Sequence, residues 1–366
     1  MFTTPAFTTP AFTTAAHVCD LMDQAGRDRQ PFLFGLTYEL DEGFFVADPL
    51  AQQDVLFDLD GQGNAAGAVS DATPVQFRAH PEPLERYRQR FEVVQQALRR
   101  GDSYLANFTI ATPVSTNLGL QQIFAGSTAL FRLLVPGRFV CFTPERFVRL
   151  DAGRIHSHPM KGTVDASAPR AAERLRDDPK EVAEHVTTVD LIRNDLALVA
   201  SNVRVARFRY LDRLETTSGP ILQASSELVA DLPGDYLDHL GATIAALLPA
   251  GSISGAPKPA TLAMLRRAEG HPRGYYTGVA GYFDGAVLDT FVLIRYLEQT
   301  ATGLVFRSGG GITLDSDPDA EYAEALAKVY LPVSRSLFQR PETGSDGPPE
   351  ADRRLNETPP GQGRVG

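Results

Sequence analysis

The sequence of 366 residues lacks several features that would assign it to special classes of protein. Only two cysteines occur, Cys19 and Cys141. Without CxxC spacing or further partners they support neither a zinc site nor a disulfide framework, so we expect a reducing, cytoplasmic location. No run of about 18 apolar residues occurs, which predicts no membrane span. A net charge of −10 without a long basic run argues against nucleic acid as a partner.

The two ends of the chain differ in composition from the rest. Residues 1–25 begin with repeats of Phe-Thr-Thr-Pro-Ala and lack the basic start and apolar stretch of a signal peptide, so we predict a flexible low-complexity extension. Residues 341–366 contain five Pro and five Gly but few apolar anchors, which predicts a disordered tail over 339–366. The remaining residues, 26–338, show no Pro/Gly-rich linker and are expected to form one large domain.

Strand patterns outnumber helical patterns and often come in neighbouring pairs, which predicts an α+β fold with mainly antiparallel sheets. In the helix predicted at 179–200, Val182, Val186, Val189 and Leu196 have the spacing of a buried face. Strands are predicted at 31–38, 43–47, 104–111, 138–141, 147–150, 203–210, 276–283, 287–296 and 304–308, and helices at 84–99, 179–200, 236–248, 261–269 and 319–338.

Two of these helices carry the same spacing of acidic residues. Glu181 and Glu184 lie one turn apart on the helix at 179–200, and Glu321 and Glu324 repeat the arrangement on the helix at 319–338. A single pair is typical of a solvated acidic stripe. Two pairs from distant helices could instead hold a hard cation such as Mg²⁺ and leave positions open for a substrate.

Glycine-rich segments form a second group of candidates. The segment 250–258, Ala-Gly-Ser-Ile-Ser-Gly-Ala-Pro-Lys, precedes a predicted helix, and Gly309, Gly310 and Gly311 follow a predicted strand. Exposed backbone N–H groups in such segments favour anions, although tight turns explain glycine equally well. Neither segment has the spacing of a nucleotide-binding loop. Lys161, Lys258 and Arg295 supply the cations that an acidic protein needs in order to bind an acid.

Lys161 is the candidate nucleophile. It follows a strand pattern in which His156 and His158 alternate onto one face, and these histidines are expected to be structural because no further metal ligands lie nearby. Gly162, beside the lysine, leaves room for a ligand to approach. A lysine that is partly desolvated or near another cation can react as a neutral amine.

Five blocks of sequence occur in order along the chain: Thr-Pro-Glu-Arg-Phe at 143–147, Pro-Met-Lys-Gly-Thr at 159–163, Glu-His-Val-Thr-Thr-Val-Asp-Leu-Ile-Arg-Asn-Asp at 184–195, Gly-Ser-Ile-Ser-Gly-Ala-Pro-Lys at 251–258 and the segment 309–322. This is the order found in chorismate-utilising enzymes, and the blocks most closely resemble the short form of the aminodeoxychorismate synthase component I family. The resemblance covers about residues 100–335. No single block is specific, but the five together are.

This resemblance implies a fold and a ligand set. It implies that residues 26–338 form a single large anthranilate-synthase-like domain that binds chorismate and is catalytic, with two packed, mainly antiparallel β-sheets as the core and helices outside. The resemblance makes Glu184 and Glu324 the direct Mg²⁺ ligands, with Glu181 and Glu321 in support, and the metal would hold the ring carboxylate of chorismate.

The resemblance also implies a reaction. Glu145 would protonate the departing C4 hydroxyl while Lys161 attacks C2, and ammonia would then attack C4 and expel the lysine to give 4-amino-4-deoxychorismate, a precursor of p-aminobenzoate and folate. The ammonia would come from a glutamine amidotransferase partner. Substrate-binding positions carried over from the family are Tyr276, Arg295, Gly309, Gly310 and Gly311 for the carboxylates, and Ser254 and Thr163 for polar contacts around the ring.

A few positions discriminate within the family. Relatives that add water at C2 carry a lysine in the strand that reads Tyr-Leu-Ala-Asn at 104–107 here, and anthranilate synthases typically carry alanine in place of Lys161. Gln223 and Leu105 depart from the residues found in many longer relatives. An anthranilate synthase component I and a catalytically silent binding or regulatory homologue remain as alternatives.

Overall fold

Alternating apolar residues build two large sheets in the computed structural model, which describes residues 10–65, 75–216 and 219–332. The strands are β1 (Ala11–Thr14), β2 (Phe32–Leu36), β3 (Glu42–Ala47), β4 (Leu56–Leu59), β5 (Gln62–Gly63), β6 (Phe77–Ala79), β7 (Leu105–Thr116), β8 (Phe131–Val135), β9 (Phe139–Thr143), β10 (Arg146–Asp151), β11 (Arg154–Ser157), β12 (Met160–Asp165), β13 (Ser201–Thr216), β14 (Gly219–Asp231), β15 (Gly255–Ala256), β16 (Val279–Phe283), β17 (Leu288–Val292), β18 (Tyr296–Thr300) and β19 (Gly303–Ile312).

The strands pair antiparallel in both sheets of the described residues. The ten-stranded sheet has the order β1-β3-β2-β16-β17-β10-β11-β14-β12, with β13 also paired to β14. The nine-stranded sheet has the order β15-β7-β19-β18-β9-β8-β4-β5, with β6 also paired to β7. Some strands that are distant in sequence are neighbours, and the antiparallel pairing confirms the predicted α+β fold with mainly antiparallel sheets.

Aromatic side chains join the two sheets. Phe131 of the nine-stranded sheet stacks on Phe291 of the ten-stranded sheet with ring centroids 5.5 Å apart, and Phe57 packs on Tyr282 at 5.2 Å. All four belong to one buried cluster, so apolar burial holds the sheets together. This arrangement confirms the expected core of two packed sheets.

Helices cover the outer faces of the sheets. Apolar residues of α1 and α6 pack on the ten-stranded sheet, while α2, α8 and α9 contribute to a cluster on β7 and β19. The helices are α1 (Ala15–Arg27), α2 (Leu84–Arg100), α3 (Leu120–Gly126), α4 (Ala171–Asp177), α5 (Pro179–Leu196), α6 (Leu240–Leu247), α7 (Gly251–Ser254), α8 (Lys258–Glu269) and α9 (Pro318–Ala327), with short 3-10 helices at Pro49–Ala51 and Tyr236–His239. No helix in the described ranges is long and apolar enough to cross a membrane.

The N-terminal segment corrects the prediction that residues 1–25 are flexible. Residues 11–14 form edge strand β1, and α1 follows, with Thr14 accepting a hydrogen bond from the His17 N–H as its N-cap. Val18 and Met22 are fully buried. Their spacing places them on one face of α1, and burial of that face outweighs the low-complexity composition. Residues 1–9 and 333–366, which include the predicted tail over 339–366, lie outside the described residues.

Two predictions about helices were also wrong. Helix α9 ends at Ala327 rather than at 338, and Pro332 disfavours a helical conformation in the residue before it. In α5, Val186 is 47% exposed, and His185 is fully buried in its place. The His185 ring forms a hydrogen bond with Ser226 Oγ (2.6 Å), and burial lowers the pKa of His185 to about 4, so it packs as a neutral side chain.

Candidate active site

A cavity of about 260 Å³ opens where the ends of several elements meet. Its walls come from the start of β10, from β12, α5, α7 and α9, from the loops around Tyr276 and Arg295, and from β19. Ten of the thirteen site residues that sequence analysis singled out line this cavity: Glu145, Lys161, Glu184, Tyr276, Arg295, Gly309, Gly310, Gly311, Glu321 and Glu324.

The Glu145 carboxyl is set at the joint between β9 and β10. Its backbone N–H donates to Thr143 Oγ1 (3.1 Å), and its carbonyl accepts from the Val292 N–H (3.1 Å), so both sides of the residue are fixed. Burial raises the pKa of the Glu145 carboxyl because the charged form loses its hydration. A carboxyl with a raised pKa keeps its proton to higher pH and can serve as a general acid.

Positive charges surround Glu145 and limit that rise. Lys161, Arg295 and Lys328 each lower the pKa of the Glu145 carboxyl, although burial remains the largest effect. Lys161 therefore lies within electrostatic reach of Glu145 in the same cavity. A candidate nucleophile and a candidate acid share one small space.

Lys161 lies in β12, where the pairing with β14 shifts register between Met160 and Thr163. Gly162 has φ +82° in this bulge, and a Cβ built on it would lie 2.6 Å from Glu181 Oε2 and 2.8 Å from Leu175 Cδ1. Glycine is thus required both by the left-handed backbone and by the close approach of α4 and α5. The bulge sets Lys161 against the cavity.

The paired carboxylates come from two helices that are far apart in sequence. Glu184 on α5 and both Glu321 and Glu324 on α9 line the cavity, while Glu181 lies against Gly162 at its edge. Their all-oxygen donor set fits Mg²⁺ in chemistry. Among residues 10–65, 75–216 and 219–332, however, no three acidic, His or Cys side chains are already grouped as a metal site.

The glycines of β19 bring the strand close to α9. A Cβ on Gly310 would lie 3.5 Å from Glu321 Oε2 and 3.7 Å from Glu324 Oε1, so a longer side chain there would meet the carboxylates. Lys328, one turn after Glu324, donates to its Oε1 (2.8 Å) and to the carbonyl of Gly309 (2.7 Å). This lysine links the glycine strand to the helix.

Tyr276 and Arg295 form the opposite part of the wall. Burial raises the pKa of the Tyr276 hydroxyl, which therefore stays protonated and can donate a hydrogen bond. The Arg295 backbone is left-handed (φ +51°), and its Nε is buried without a hydrogen-bond partner among the described residues. A buried N–H without a partner favours an acceptor from a ligand.

Three predicted site residues do not line the cavity. Regular alternation would place Thr163 on the same face as Lys161, but the bulge between Met160 and Thr163 interrupts it, and Thr163 is exposed. The Ser254 hydroxyl is fully buried and donates to the Ala250 carbonyl (2.7 Å), so its single O–H is already used. Glu181 lies at the edge, against Gly162.

Lys328 and Asp195 are among the polar groups at the cavity that sequence analysis missed, and it misjudged Lys258. Lys328 could have been found from its i,i+4 spacing to Glu324. Asp195 also lines the cavity, and it forms an ion pair with Lys258 (2.7 Å) and accepts from the Gly251 N–H (2.9 Å). Lys258 therefore ties α5 to the start of α8 and lies outside the cavity wall, although we expected it to help bind an acid.

The family model described as chorismate binding enzyme matches residues 47–333 of the chain. This match includes every residue of the cavity. The chain belongs to the chorismate binding enzyme family. The five sequence blocks and the cavity therefore lie within the part of the chain that matches the family.

Curated relatives of this chorismate binding enzyme carry different names. It is 46% identical over 316 residues to an uncharacterized PabA-like protein of Pasteurella multocida, covering 85% of this chain and 97% of the relative. It is 31% identical to anthranilate synthase component 1 of Archaeoglobus fulgidus, covering 83% and 75%. It is 33% identical to aminodeoxychorismate synthase component 1 of Salmonella typhimurium, covering 66% and 56%.

The fold is also found among solved structures. The menaquinone-specific isochorismate synthase of Escherichia coli matches with a TM-score of 0.68 at 17% identity, covering 90% of this chain and 84% of that one. At this identity the similarity speaks for the fold alone. It agrees with the predicted single anthranilate-synthase-like architecture.

Proposed function

We propose that the protein is an aminodeoxychorismate synthase component I, which converts chorismate and ammonia into 4-amino-4-deoxychorismate for the synthesis of p-aminobenzoate and folate. The observation that carries this proposal is the lysine at position 161 in the cavity, within electrostatic reach of Glu145. An amine at this point provides a nucleophile, and a carboxyl with a raised pKa provides a proton.

The reaction would proceed in two substitutions. The neutral amine of Lys161 forms a bond to C2 of chorismate, the ring double bonds shift, and the C4 hydroxyl leaves as water with a proton from Glu145. Ammonia then forms a bond to C4, the double bonds shift back, and the lysine amine leaves C2. Because the lysine blocks C2 during the second step, nitrogen enters at C4.

The cations of the cavity support a substrate with two carboxylates. The guanidinium of Arg295 has an unused N–H in the wall, and Tyr276 is a protonated donor beside it. Backbone N–H groups of the glycine strand are a second kind of anion-binding group. These residues would bind and orient chorismate, with its C2 towards Lys161.

Mg²⁺ is the cofactor that we propose, with Glu184 and Glu324 as direct ligands and Glu181 and Glu321 in support. The donor chemistry fits a hard ion, and binding would have to draw the carboxylates of α5 and α9 together. When bound, the ion would neutralise the ring carboxylate of chorismate. Until then Lys328 neutralises part of the charge of Glu324.

We also propose that a glutamine amidotransferase partner supplies the ammonia. The relatives from Salmonella and Archaeoglobus are each named as component 1 of their synthase, which supports a second component. The purified chain should therefore use ammonium salts directly and should use glutamine only when such a partner is added.

The test is to incubate the purified protein with chorismate, ammonium and Mg²⁺ and to identify the product by mass spectrometry. We expect 4-amino-4-deoxychorismate. Formation of anthranilate would indicate an anthranilate synthase instead. Chorismate that stays unchanged both with and without an amidotransferase partner would indicate a catalytically silent binding homologue.

A further inference from the structure

Arg273 is a buried charged residue that the proposed reaction does not use. It lies in the loop between α8 and β16, it is only 1% exposed, and it heads the fully buried side chains of the described residues by volume. An arginine this deeply buried needs partners for its charge and for its five N–H donors.

All five N–H donors of Arg273 have acceptors. Nε and Nη2 form a two-pronged ion pair with Glu269 (2.9 and 2.7 Å). The second N–H of Nη2 donates to the carbonyl of Asn107 (2.5 Å). Nη1 donates to the carbonyl of Ile253 (3.0 Å) and to Thr277 Oγ1 (3.3 Å). The fixed fork of the guanidinium thus joins four separate segments.

Three of these acceptors belong to the wall of the cavity. Asn107 is in β7, Ile253 is in α7 and Thr277 follows Tyr276, and each lines the cavity, whereas Arg273 does not. The guanidinium therefore lies behind the wall, where it fixes the relative positions of three elements without reaching a ligand.

Thr277 is the acceptor that most needs support. Its backbone is left-handed (φ +60°), which is unfavourable for a β-branched residue. Its hydroxyl accepts from Arg273 and donates to the Tyr276 carbonyl (2.6 Å). Arg273 thus stabilises the strained turn that presents the Tyr276 side chain to the cavity.

The other side of Arg273 is anchored as firmly. Glu39 accepts from the backbone N–H groups of Arg273 (2.8 Å) and Gly274 (3.0 Å), and the Tyr38 ring lies 4.4 Å from the guanidinium. Glu269 also accepts from the N–H and hydroxyl of Thr109 on β7 (3.0 and 2.8 Å). Arg273 and its partner Glu269 are thus connected to the turn between β2 and β3 and to β7.

We propose that Arg273 is a positioning residue of the active site, which holds the walls formed by Asn107, Ile253 and Tyr276 in register without touching the substrate. The expected effect of Arg273 on kcat/KM for chorismate rests on the proposed function, whereas its expected effect on the cavity wall does not. Lysine cannot replace it, because three donors on one nitrogen cannot reach the four segments that the guanidinium joins.

The experiment compares Arg273→Lys with Arg132→Lys. Arg132 is a matched control because it also pairs with a carboxylate, Asp58 (2.5 Å), and donates to a backbone carbonyl, that of Ser127 (2.6 Å), but neither of these partners lines the cavity. At a temperature well below both melting temperatures, we expect Arg273→Lys to lose about 10- to 100-fold in kcat/KM for chorismate. The control should change less than about threefold.

Two milder variants test the same role in case Arg273→Lys does not fold. Thr277→Ser keeps the hydroxyl that accepts from Arg273, and Thr277→Ala removes it. We expect the kcat/KM of the alanine variant to lie about 10-fold or more below that of the serine variant. Equal activity of the two, or an unchanged kcat/KM in Arg273→Lys, would overturn the positioning role while leaving the proposed reaction in place.

Hydrogen exchange tests the wall without chorismate. The N–H of Thr277 donates to Leu293 (2.8 Å) and that of Gly278 to Tyr275 (2.9 Å). Both amides should exchange faster in Arg273→Lys and in Thr277→Ala than in the wild type, and at the wild-type rate in Arg132→Lys. If the wild type fails to convert chorismate, the proposed reaction is wrong, and exchange at these amides still decides the positioning role. Wild-type exchange in both variants would overturn it.

Discussion

Lys161 is the residue whose chemistry separates the proposed reaction from its alternatives. Changing Lys161→Ala should reduce 4-amino-4-deoxychorismate formation by about 100-fold or more, because the other lysine of the cavity, Lys328, already pairs with Glu324 and the Gly309 carbonyl. Mass analysis of the products would also detect nitrogen entering at C2 once the lysine no longer blocks it.

Lys161→Arg is the matched control for charge. Arginine keeps the positive charge but stays protonated and cannot attack. We expect it to be as inactive as Lys161→Ala with saturating chorismate and ammonium. Near-normal product formation by Lys161→Arg would leave the lysine an electrostatic role and exclude the covalent step.

Glu145 is the residue that should make the proposed activity depend on pH. The carboxyl must be protonated to donate, and burial raises its pKa, so the activity that depends on it should fall as the pH rises through that raised pKa. Glu145→Gln should lower kcat/KM by about 10²- to 10⁴-fold and abolish this part of the pH profile. A pH series of kcat/KM for both proteins measures the effect.

The stability of the same variant should change in the opposite direction. A carboxyl whose pKa is raised by folding stabilises the fold below its unfolded pKa, and this contribution is lost as the pH rises through the folded pKa. Glu145→Gln should therefore unfold at a higher denaturant concentration than the wild type at neutral pH, with a smaller difference in acid. A destabilised glutamine variant at neutral pH would contradict the burial argument.

Residues with local signals could be predicted from the sequence, and residues with long-range roles could not. Helical spacing singled out Glu184 and Glu324 as candidates, strand and glycine context singled out Lys161, and the family resemblance implied their roles. The same helical spacing wrongly predicted that Val186 is buried. The structure buries His185 instead, which forms a hydrogen bond with Ser226, 41 residues away. Arg273 likewise gains its role from segments separated by up to 166 residues.

At the scale of elements, the bulge of β12 is the feature that orients the nucleophile. Gly162→Ala puts a Cβ on a left-handed residue and within 2.6 Å of Glu181 Oε2. Gly153→Ala is the control, since Gly153 has φ +76° but nothing within 4 Å of its Cβ position. Both should lose about 1–2 kcal/mol of unfolding free energy for the backbone alone.

Only Gly162→Ala should also lose activity. The added methyl group must displace Glu181 or Leu175, and a shift of about 1 Å in Lys161 can cost about 100-fold in rate. Denaturant unfolding and chorismate turnover, measured on both variants, separate the two effects. Equal activity of the two variants would show that the packing around β12 does not control Lys161.

Helix α1 shows where prediction from composition fails for an element. The Thr/Pro/Ala repeat that precedes it favoured flexibility, while the buried face of α1 depends on a docking surface formed by residues near 237–247. Met22→Ala should therefore cost about 2–5 kcal/mol of unfolding free energy, because Met22 is fully buried. Gln24→Ala, at an exposed position of α1, should change it by less than about 0.5 kcal/mol.

At the scale of the whole molecule, the cavity depends on residues from both ends of the domain. The predicted α+β class, the antiparallel sheets and most of the strands follow from alternation within short segments. The pairing of β16 with β2 joins segments about 250 residues apart, that of β19 with β7 joins segments about 200 residues apart, and neither has a local signal. The blocks shared with chorismate-utilising enzymes indicated which segments meet, since spacing alone left the carboxylate pairs as possible solvated stripes.

Metal dependence is the property that tests this long-range assembly. If Mg²⁺ joins Glu184 on α5 to Glu324 on α9, an ion present at about 100 times its Kd should stabilise the folded protein by about 2.7 kcal/mol. Glu184→Gln and Glu324→Gln should each remove this stabilisation and the Mg²⁺-dependent turnover of chorismate. Glu92→Gln is a suitable control, because Glu92 is exposed on α2 and pairs with Arg99 away from the cavity. Thermal unfolding with Mg²⁺ or EDTA gives a readout without substrate, and wild-type Mg²⁺ dependence in either cavity variant would show that the two helices do not share the ion.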